Sequence, residues 1–255
     1  MHRRAVLLGG AALLLAAADQ PARLPVAATP ISRLDTPWWK ARHIEKLAEM
    51  KRGPVDLVWL GDSITQDWEL EGPPEWRDFT PVWQSFYGDR HALNLGFKGD
   101  TTSHLLWRMQ NGELDGLRPK VAIVLIGANN MGRVHWNAEQ TVAGIDAVIA
   151  DLRRRLPATK ILLLSVLPSI RSKYVTRTTL EINRALVDRF GLGGGVTYMD
   201  VTTLFMRNGE VDRTQFLDDQ LTPPDPPLHP TAQAQRKLAE LIEPTVAAMM
   251  GDRRH

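Results

Sequence analysis

Apolar runs of four to eight residues, most of them stopped by glycine or a short polar residue, alternate along this chain with longer stretches in which apolar residues recur every three or four positions. Runs of the first kind read as strands buried on both faces, and stretches of the second as helices with one apolar face. The runs Val55–Leu60, Ala92–Gly96, Val121–Ile126, Lys160–Leu167 and Val196–Met199 predict five strands. A helix is expected over 39–50, with Trp39, Ile44, Leu47 and Met50 on one face. Further helices are expected from a Thr101 or Thr102 cap through Met109, over Glu139–Leu156, over Leu180–Phe190 and over Thr231–Met250. The last of these carries Leu238, Leu241, Ile242, Val246 and Met249 inward. From Ser63 to Tyr87 the chain is rich in Trp, Pro and acids without a clear period, as a segment wrapping a site would be. Strands alternating with helices at this spacing make a parallel sheet covered on both faces.

The chain opens on Met1–His2–Arg3–Arg4, and an apolar stretch from Ala5 to Ala18 follows. A basic head, a short apolar segment and three alanines predict a signal peptide over residues 1–18, and hence a secreted or periplasmic protein. The stretch is too short to span a bilayer comfortably, so no stable membrane insertion is expected. Arg3–Arg4 hints at twin-arginine export. Residues 19–36, with Pro21, Pro25 and Pro30, read as a tether, and residues 37–255 have the length of one α/β domain. The 31 basic and 29 acidic residues leave a net charge of +2 with no basic stripe, which removes the electrostatic footprint of a nucleic-acid partner. Cysteine is absent, which excludes disulfides, zinc–thiolate sites and thiol catalysis together. Gly191–Gly195 follows a helix rather than a strand and reads as a turn, so no nucleotide cofactor is implied. No His-Glu-x-x-His or other metal-ligand spacing occurs. A second copy of the chain is the one protein partner the sequence leaves open.

Beyond the first strand stand Gly61, Asp62 and Ser63, at the strand edge where open α/β sheets bind ligands. Ser63 is a candidate nucleophile there, although it or Asp62 could simply cap a helix. A hydroxyl needs a base within hydrogen-bond reach, and histidine suits that task. His229 lies in a proline-dense loop, Pro223–Pro230, just before the last helix. Asp225, four residues earlier, is the acid nearest in sequence to orient its ring. His43, His91, His104 and His135 lack both the late-loop setting and a nearby acid, and are expected on the surface or in structural roles. Acyl transfer also needs donors aimed at the developing oxyanion. The backbone N–H groups of Ser63 and Gly99 and the side-chain amide of Asn129 are candidates.

The ordered blocks Gly61–Asp62–Ser63, Gly99, Gly127–Ala128–Asn129–Asn130 and His229 resemble the four blocks of the SGNH (GDSL) hydrolases. Residues 91–102, Leu106–Trp107–Arg108, residues 111–114 and Pro119–Lys120–Val121 are similar to the catalytic subunits of platelet-activating-factor acetylhydrolases within that group. The likeness runs from about Pro37 to Met250. It implies a flavodoxin-like three-layer α/β/α sandwich around a five-stranded parallel sheet, and a Ser–His–Asp triad without metal or cofactor. Residue by residue it implies Ser63 as nucleophile, His229 as base, and Ser63, Gly99 and Asn129 as the oxyanion hole. Ile64, Ala128 and Leu228 would line the acyl pocket, with Ala128 standing where the acetylhydrolases carry a larger Thr. The family places its acid three residues before the histidine, and here that position is Pro226. A bulged loop bringing Asp225 inward, substitution by Asp218 or Asp219, and a backbone carbonyl are the alternatives. The expected activity is hydrolysis of short, chiefly acetyl, esters of a small molecule or glycan. A carbohydrate O-acetylesterase and a non-catalytic binding protein of the same fold are the competing readings. The expected mouth of the cleft, Asp67–Trp83 and Arg171–Arg177, matches no recognition motif that would name the alcohol half of the ester.

Overall fold

The computed structural model describes residues 24–72 and 78–252, so the expected export segment lies outside the described residues. Five parallel strands, β1 (Leu57–Gly61), β2 (Ala92–Gly96), β3 (Val121–Leu125), β4 (Lys160–Leu164) and β5 (Val196–Met199), form one sheet in the order β2-β1-β3-β4-β5. Every residue of β1 and β3 is buried, as their unbroken apolar runs require. The helices are α1 (Pro37–Glu49), α2 (Ser63–Gln66), α3 (Phe79–Tyr87), α4 (Thr102–Arg108), α5 (Ala128–Gly132), α6 (Ala138–Arg155), α7 (Lys173–Phe190) and α8 (Ala232–Met250). α6 packs against α4 and α7, while α3 packs against α8, giving the outer layers of a flavodoxin-like α/β/α sandwich. The chain leaves β1 toward β2 on one side and returns to β3 on the other. Their carboxyl ends therefore flank the topological switch point, where such sheets place ligands.

Several elements differ from the sequence reading for reasons visible in the packing. α1 buries Trp39, His43 and Lys46, whereas Ile44 is 57% exposed. The helix covers a polar network rather than an apolar surface. Trp39 Nε1 donates to Asp100 Oδ1 at 2.8 Å, and His43 Nδ1 lies 3.1 Å from Glu113 Oε1. Arg108, wholly buried, donates to Asp100 Oδ2 at 2.8 Å, to Glu113, and to the Gly61 carbonyl at 3.2 Å. Buried polar groups must be paired, and here those partners set the face of the helix. β4 stops at Leu164 because the Val166 N–H turns to the Asn183 side chain at 2.9 Å. α7 begins at Lys173, seven residues earlier than its apolar period suggested, where the Ser172 hydroxyl caps it by accepting the Val175 N–H at 3.1 Å. In α8 the inward stripe is Ala234, Leu238, Ile242 and Val246, and Leu241 is exposed. From Leu24 the expected tether belongs to the folded body. Ala27 is buried, its carbonyl accepts the Thr102 hydroxyl at 2.7 Å, and the Ile31 N–H donates to the Ser103 carbonyl at 3.1 Å. The segment before Tyr87, without a clear period in sequence, contains α3, which buries Phe79, Val82, Trp83 and Tyr87.

Candidate active site

Gly61 ends β1, and Asp62 caps α2 by accepting the Ile64 N–H on Oδ1 at 3.0 Å. Ser63 is thus the first helical residue, and its N–H has no intrahelical acceptor to satisfy. α2 lies hard against the strand ends. A Cβ on Gly96 would come within 2.2 Å of the Gln66 nitrogen, so glycine is required there. Asp62 is fully buried, and burial pushes its carboxyl up to about 7 against the opposing bond from Ile64.

His229 precedes α8, and its position is fixed by a short antiparallel pairing. The Leu217 N–H donates to the His229 carbonyl at 2.7 Å and the Thr231 N–H to the Gln215 carbonyl at 2.9 Å, on either side of a Phe216–Pro230 bridge. Asp218, immediately past this pairing, meets the ring: His229 Nδ1 lies 2.7 Å from Asp218 Oδ1. The other carboxylate oxygen accepts the backbone N–H groups of Leu228 at 2.8 Å and His229 at 2.5 Å. On the opposite edge, His229 Nε2 lies 3.0 Å from Ser63 Oγ. Burial opposes charge on this ring, yet the Asp218 bond and the nearby carboxylates of Asp67, Asp218 and Asp62 outweigh it, so its pKa is raised above 6.5. Burial likewise works against the Asp218 carboxylate, but the bonds from His229 hold it below the usual value.

The carboxylate that meets the ring is thus Asp218, where the sequence reading expected Asp225. Asp225 is exposed, and its backbone N–H donates to the Asp218 carbonyl at 3.0 Å. It lies in a proline-dense run with Pro223, Pro224, Pro226 and Pro227. The bond from the Asp225 N–H and those from Leu228 and His229 to the carboxylate of the same Asp218 wrap the loop around Asp218, and it is Asp218 that meets the ring of His229. Asp218, far in sequence, is brought close by the pairing of residues 215–217 with 229–231. The side chain of Asp219 lies outside the described residues.

Gly99 occupies the turn after β2, which is closed by the Asp100 N–H donating to the Phe97 carbonyl at 3.1 Å. Its φ is +77°, a region that favours glycine. Asn129 follows β3 on α5. Its amide donates to the Asp100 carbonyl at 3.0 Å and, over a longer 3.3 Å, to Asp62 Oδ2. It thereby ties the Gly99 turn to the end of β1 beside Ser63. Asn130 holds the same turn from the other side, accepting the Thr102 N–H at 3.0 Å and donating to its hydroxyl at 2.8 Å. The structure thus gathers Ser63, Gly99, Asn129 and His229. The remaining described histidines serve elsewhere: His43 lies against Glu113 at 3.1 Å, His91 pairs with Asp56 at 2.8 Å, His104 accepts the Thr101 N–H at 3.0 Å, and His135 packs beside Tyr174.

A cleft of about 300 Å³ opens beside His229. Asp67, Leu70, Lys98, Leu217, Leu221 and Asp225 contribute to its walls. Ile64, Ala128 and Leu228 are not among its lining residues. Ile64 and Ala128 are buried next to Ser63 and Asn129 in sequence, and Leu228 is half-buried next to His229. Asp67, which the sequence reading placed at the cleft mouth without a role, is pushed up to about 6 by burial. Arg171 does reach the site. Its guanidinium donates to the Ala128 carbonyl at 2.9 Å and to Ser169 Oγ at 3.2 Å, and Ser169 in turn donates to the Pro227 carbonyl at 3.3 Å. Arg177 does not share that setting, and pairs with Glu181 at 3.6 Å on the surface of α7.

With this geometry in view, the chain can be set beside known proteins. It is 36% identical over 151 residues to the human platelet-activating factor acetylhydrolase IB subunit alpha2, a match spanning 59% of this chain and 59% of that subunit's length. A GDSL-like lipase from Bacteroides thetaiotaomicron superposes with a TM-score of 0.63 at 17% identity, covering 82% of this chain and 97% of the other. Est24, a carbohydrate acetylesterase from Sinorhizobium meliloti, superposes with a TM-score of 0.55 at 16% identity, covering 76% and 99%. These two structures share the fold. The sequence pattern of the GDSL-like Lipase/Acylhydrolase family matches residues 59–237, from within β1 into α8, and so contains every residue of the cluster around Ser63. The chain belongs to the GDSL-like lipase/acylhydrolase family.

Proposed function

We propose that this protein is a serine ester hydrolase acting on short acyl esters, acetyl esters foremost, with Ser63 as nucleophile, His229 as base and Asp218 as the acid that orients it. The observation that carries this reading is the imidazole of His229, held at Nδ1 by Asp218 and within 3.0 Å of the Ser63 hydroxyl at Nε2. The Nδ1 proton donated to Asp218 leaves Nε2 with its lone pair toward Ser63, the tautomer a general base requires. As Ser63 Oγ attacks the ester carbonyl, its proton passes to Nε2, and Asp218 stabilises the imidazolium that forms. The carbonyl oxygen gains charge and takes the N–H groups of Ser63 and Gly99 together with the Asn129 amide. The amide exchanges its long bond to Asp62 for this oxyanion. His229 then returns its proton to the departing alcohol, and water repeats the cycle on the acyl-enzyme. The acetyl preference draws on the 36% identity to subunits named acetylhydrolases. We place the reaction outside the cytoplasm on the pattern of Met1–Ala18.

A base with a raised pKa must lose its proton before it acts. The kcat/KM for p-nitrophenyl acetate should therefore rise with pH along a limb whose apparent pKa lies above 6.5. Asp218, held below the usual carboxylate range, stays ionised across that interval. A pH–rate profile checks this, and a limb below 6.5 would contradict the raised histidine.

The acyl pocket of this reading comes from the resemblance to the acetylhydrolases, since Ile64, Ala128 and Leu228 do not line the cleft beside His229. With those three residues enclosing the acyl group, acetyl esters should be preferred, propionyl and butyryl tolerated, and hexanoyl and longer esters poor. A methylene in a fitted pocket changes specificity by about 10- to 200-fold. The measurement is kcat/KM over p-nitrophenyl esters from acetyl to octanoyl, for the parent and for Ala128→Thr. Ala128→Thr should raise the acetyl-to-butyryl ratio. An octanoyl optimum in the parent would contradict the narrow pocket, and an unchanged ratio would remove Ala128 from its wall.

A further inference from the structure

Three arginines distant in sequence converge beside the oxyanion turn. Arg33 donates to the Lys98 carbonyl at 3.0 Å and to Asp100 Oδ1 at 2.9 Å, which brings its guanidinium over the turn from the N-terminal side. Arg133, one residue past α5, reaches the same turn from the opposite side. The Nη1 atoms of Arg133 and Arg33 lie 2.0 and 3.5 Å from the point where a Gly99 side chain would begin. The third, Arg171, fills the corresponding space over Gly132, with guanidinium nitrogens 2.4 and 2.5 Å from its ideal Cβ position. Glycine at positions 99 and 132 is what lets these cations lie flat against the backbone.

Acids stand near this rim, with Asp62 and Asp218 close to Arg171 and Asp67 close to Lys98, but among the described residues none of them pairs with Arg133. Arg33 has Asp100, but that carboxylate also takes Arg108 and the Trp39 indole. Among the described residues Arg133 has no acidic partner, and Arg171 donates to the neutral oxygens of Ala128 and Ser169. Lys98, exposed on the turn itself, adds a fourth positive group. His104 below the turn is lowered to about 4, by burial first and then by Arg33, Arg108 and Arg133, against the opposing charge of Asp35. Like charges brought together over a low-dielectric floor repel one another, and an anion between them turns that repulsion into attraction. Guanidinium groups with free edges suit the planar pair of oxygens on a carboxylate or phosphate.

We propose that the alcohol half of the ester carries an anionic oxygen group, a carboxylate or a phosphate, which docks on Arg133 between Arg33 and Arg171 at the rim of the Gly99 turn. The proposal rests on the ester-hydrolase reading and names its substrate class. Arg133 is the anchor because it is exposed and has no acidic partner among the described residues, while Arg33 and Arg171 are held by their own contacts and set the walls.

Two measurements on the full chain test this, and they separate it from the activity it builds on. The first is calorimetric binding of glucuronate and of glycerol 3-phosphate, neither of which carries an ester. At least one should bind the parent, and Arg133→Gln should weaken that binding by about 10- to 100-fold, the usual effect of losing a charge-assisted pair. Which of the two binds distinguishes a sugar carboxylate from a phosphate. The second is the ratio of kcat/KM for an acetylated glucuronate or acetyl glycerol phosphate over that for its uncharged counterpart. The ratio should exceed one in the parent, fall about tenfold or more in Arg133→Gln, and recover in part in Arg133→Lys. It should also fall as salt rises. If neither anion binds the parent, or binding is the same in Arg133→Gln, the anion site is overturned even with ester hydrolysis intact. Anion binding lost in Arg133→Gln, in a protein that hydrolyses no ester, would keep the anion site and overturn the hydrolase.

Discussion

Ser63→Ala and His229→Ala are each expected to lower turnover of p-nitrophenyl acetate by on the order of 10⁴–10⁶, and the double variant should be scarcely worse than either alone. The reason is geometric. Among the described residues Ser63 Oγ has one base within reach, His229 Nε2 at 3.0 Å, and that base acts on this hydroxyl. Removing either side leaves the other without work, so their losses do not add. Folding should be little affected. Ser63 is held by its helix and by the Asp62 cap, which accepts from Ile64 rather than from Ser63. Turnover and a thermal melt on the same samples check both statements. Activity within tenfold of the parent in a folded variant would contradict the assignment.

Asp218→Asn should be the next most damaging change, with a loss of about 10⁴, the scale seen when the orienting acid of a serine triad becomes an amide. Asp218 does two things at once. One oxygen meets Nδ1 of the ring, and the other collects the backbone N–H groups of Leu228 and His229. An amide can keep one of these arrangements and must present a donor to the other. If the ring turns or changes tautomer, Nε2 no longer offers its lone pair to Ser63. Asp225→Asn should leave turnover within about threefold, as substitutions away from buried or bonded features do. Comparison of kcat for the two variants decides between them. Equal losses would return the acid role to the proline loop, and a negligible loss in both would assign the ring's orientation to the backbone.

The acid shows most clearly what sequence carries and what it does not. The strand-end signal at Gly61–Ser63 is local: an apolar run meets glycine and small polar residues, and the sheet's topology does the rest. The same holds for Asn129 after β3 and for His229 before α8. The partner of His229 is set by a pairing between residues 215–217 and 229–231, which no spacing rule reports. Proximity in sequence favoured Asp225, whereas the ring is met by Asp218, eleven residues before His229. Helix α1 departs from its apolar period for a related reason. Its period suggested Ile44 on the buried face, but the partners of Trp39 and His43, namely Asp100 and Glu113, lie more than 60 residues away. α3 was legible in principle. Phe79, Val82, Trp83 and Tyr87 recur at helical spacing, and Pro81 sits in the first turn, where proline is tolerated. The arginines of the rim left no pattern in sequence, because Arg33, Arg133 and Arg171 meet only after three separate segments have folded.

The central claim is that Ser63 is a nucleophile activated by His229. Its most direct test is labelling with a fluorophosphonate, which phosphonylates an activated serine and mimics the tetrahedral state. Intact mass and peptide mapping after a timed reaction should show one adduct per chain, on Ser63. Ser63→Ala should give none, and His229→Ala should react far more slowly. A parent protein that stays unlabelled, or carries its adduct on another residue, would contradict the account.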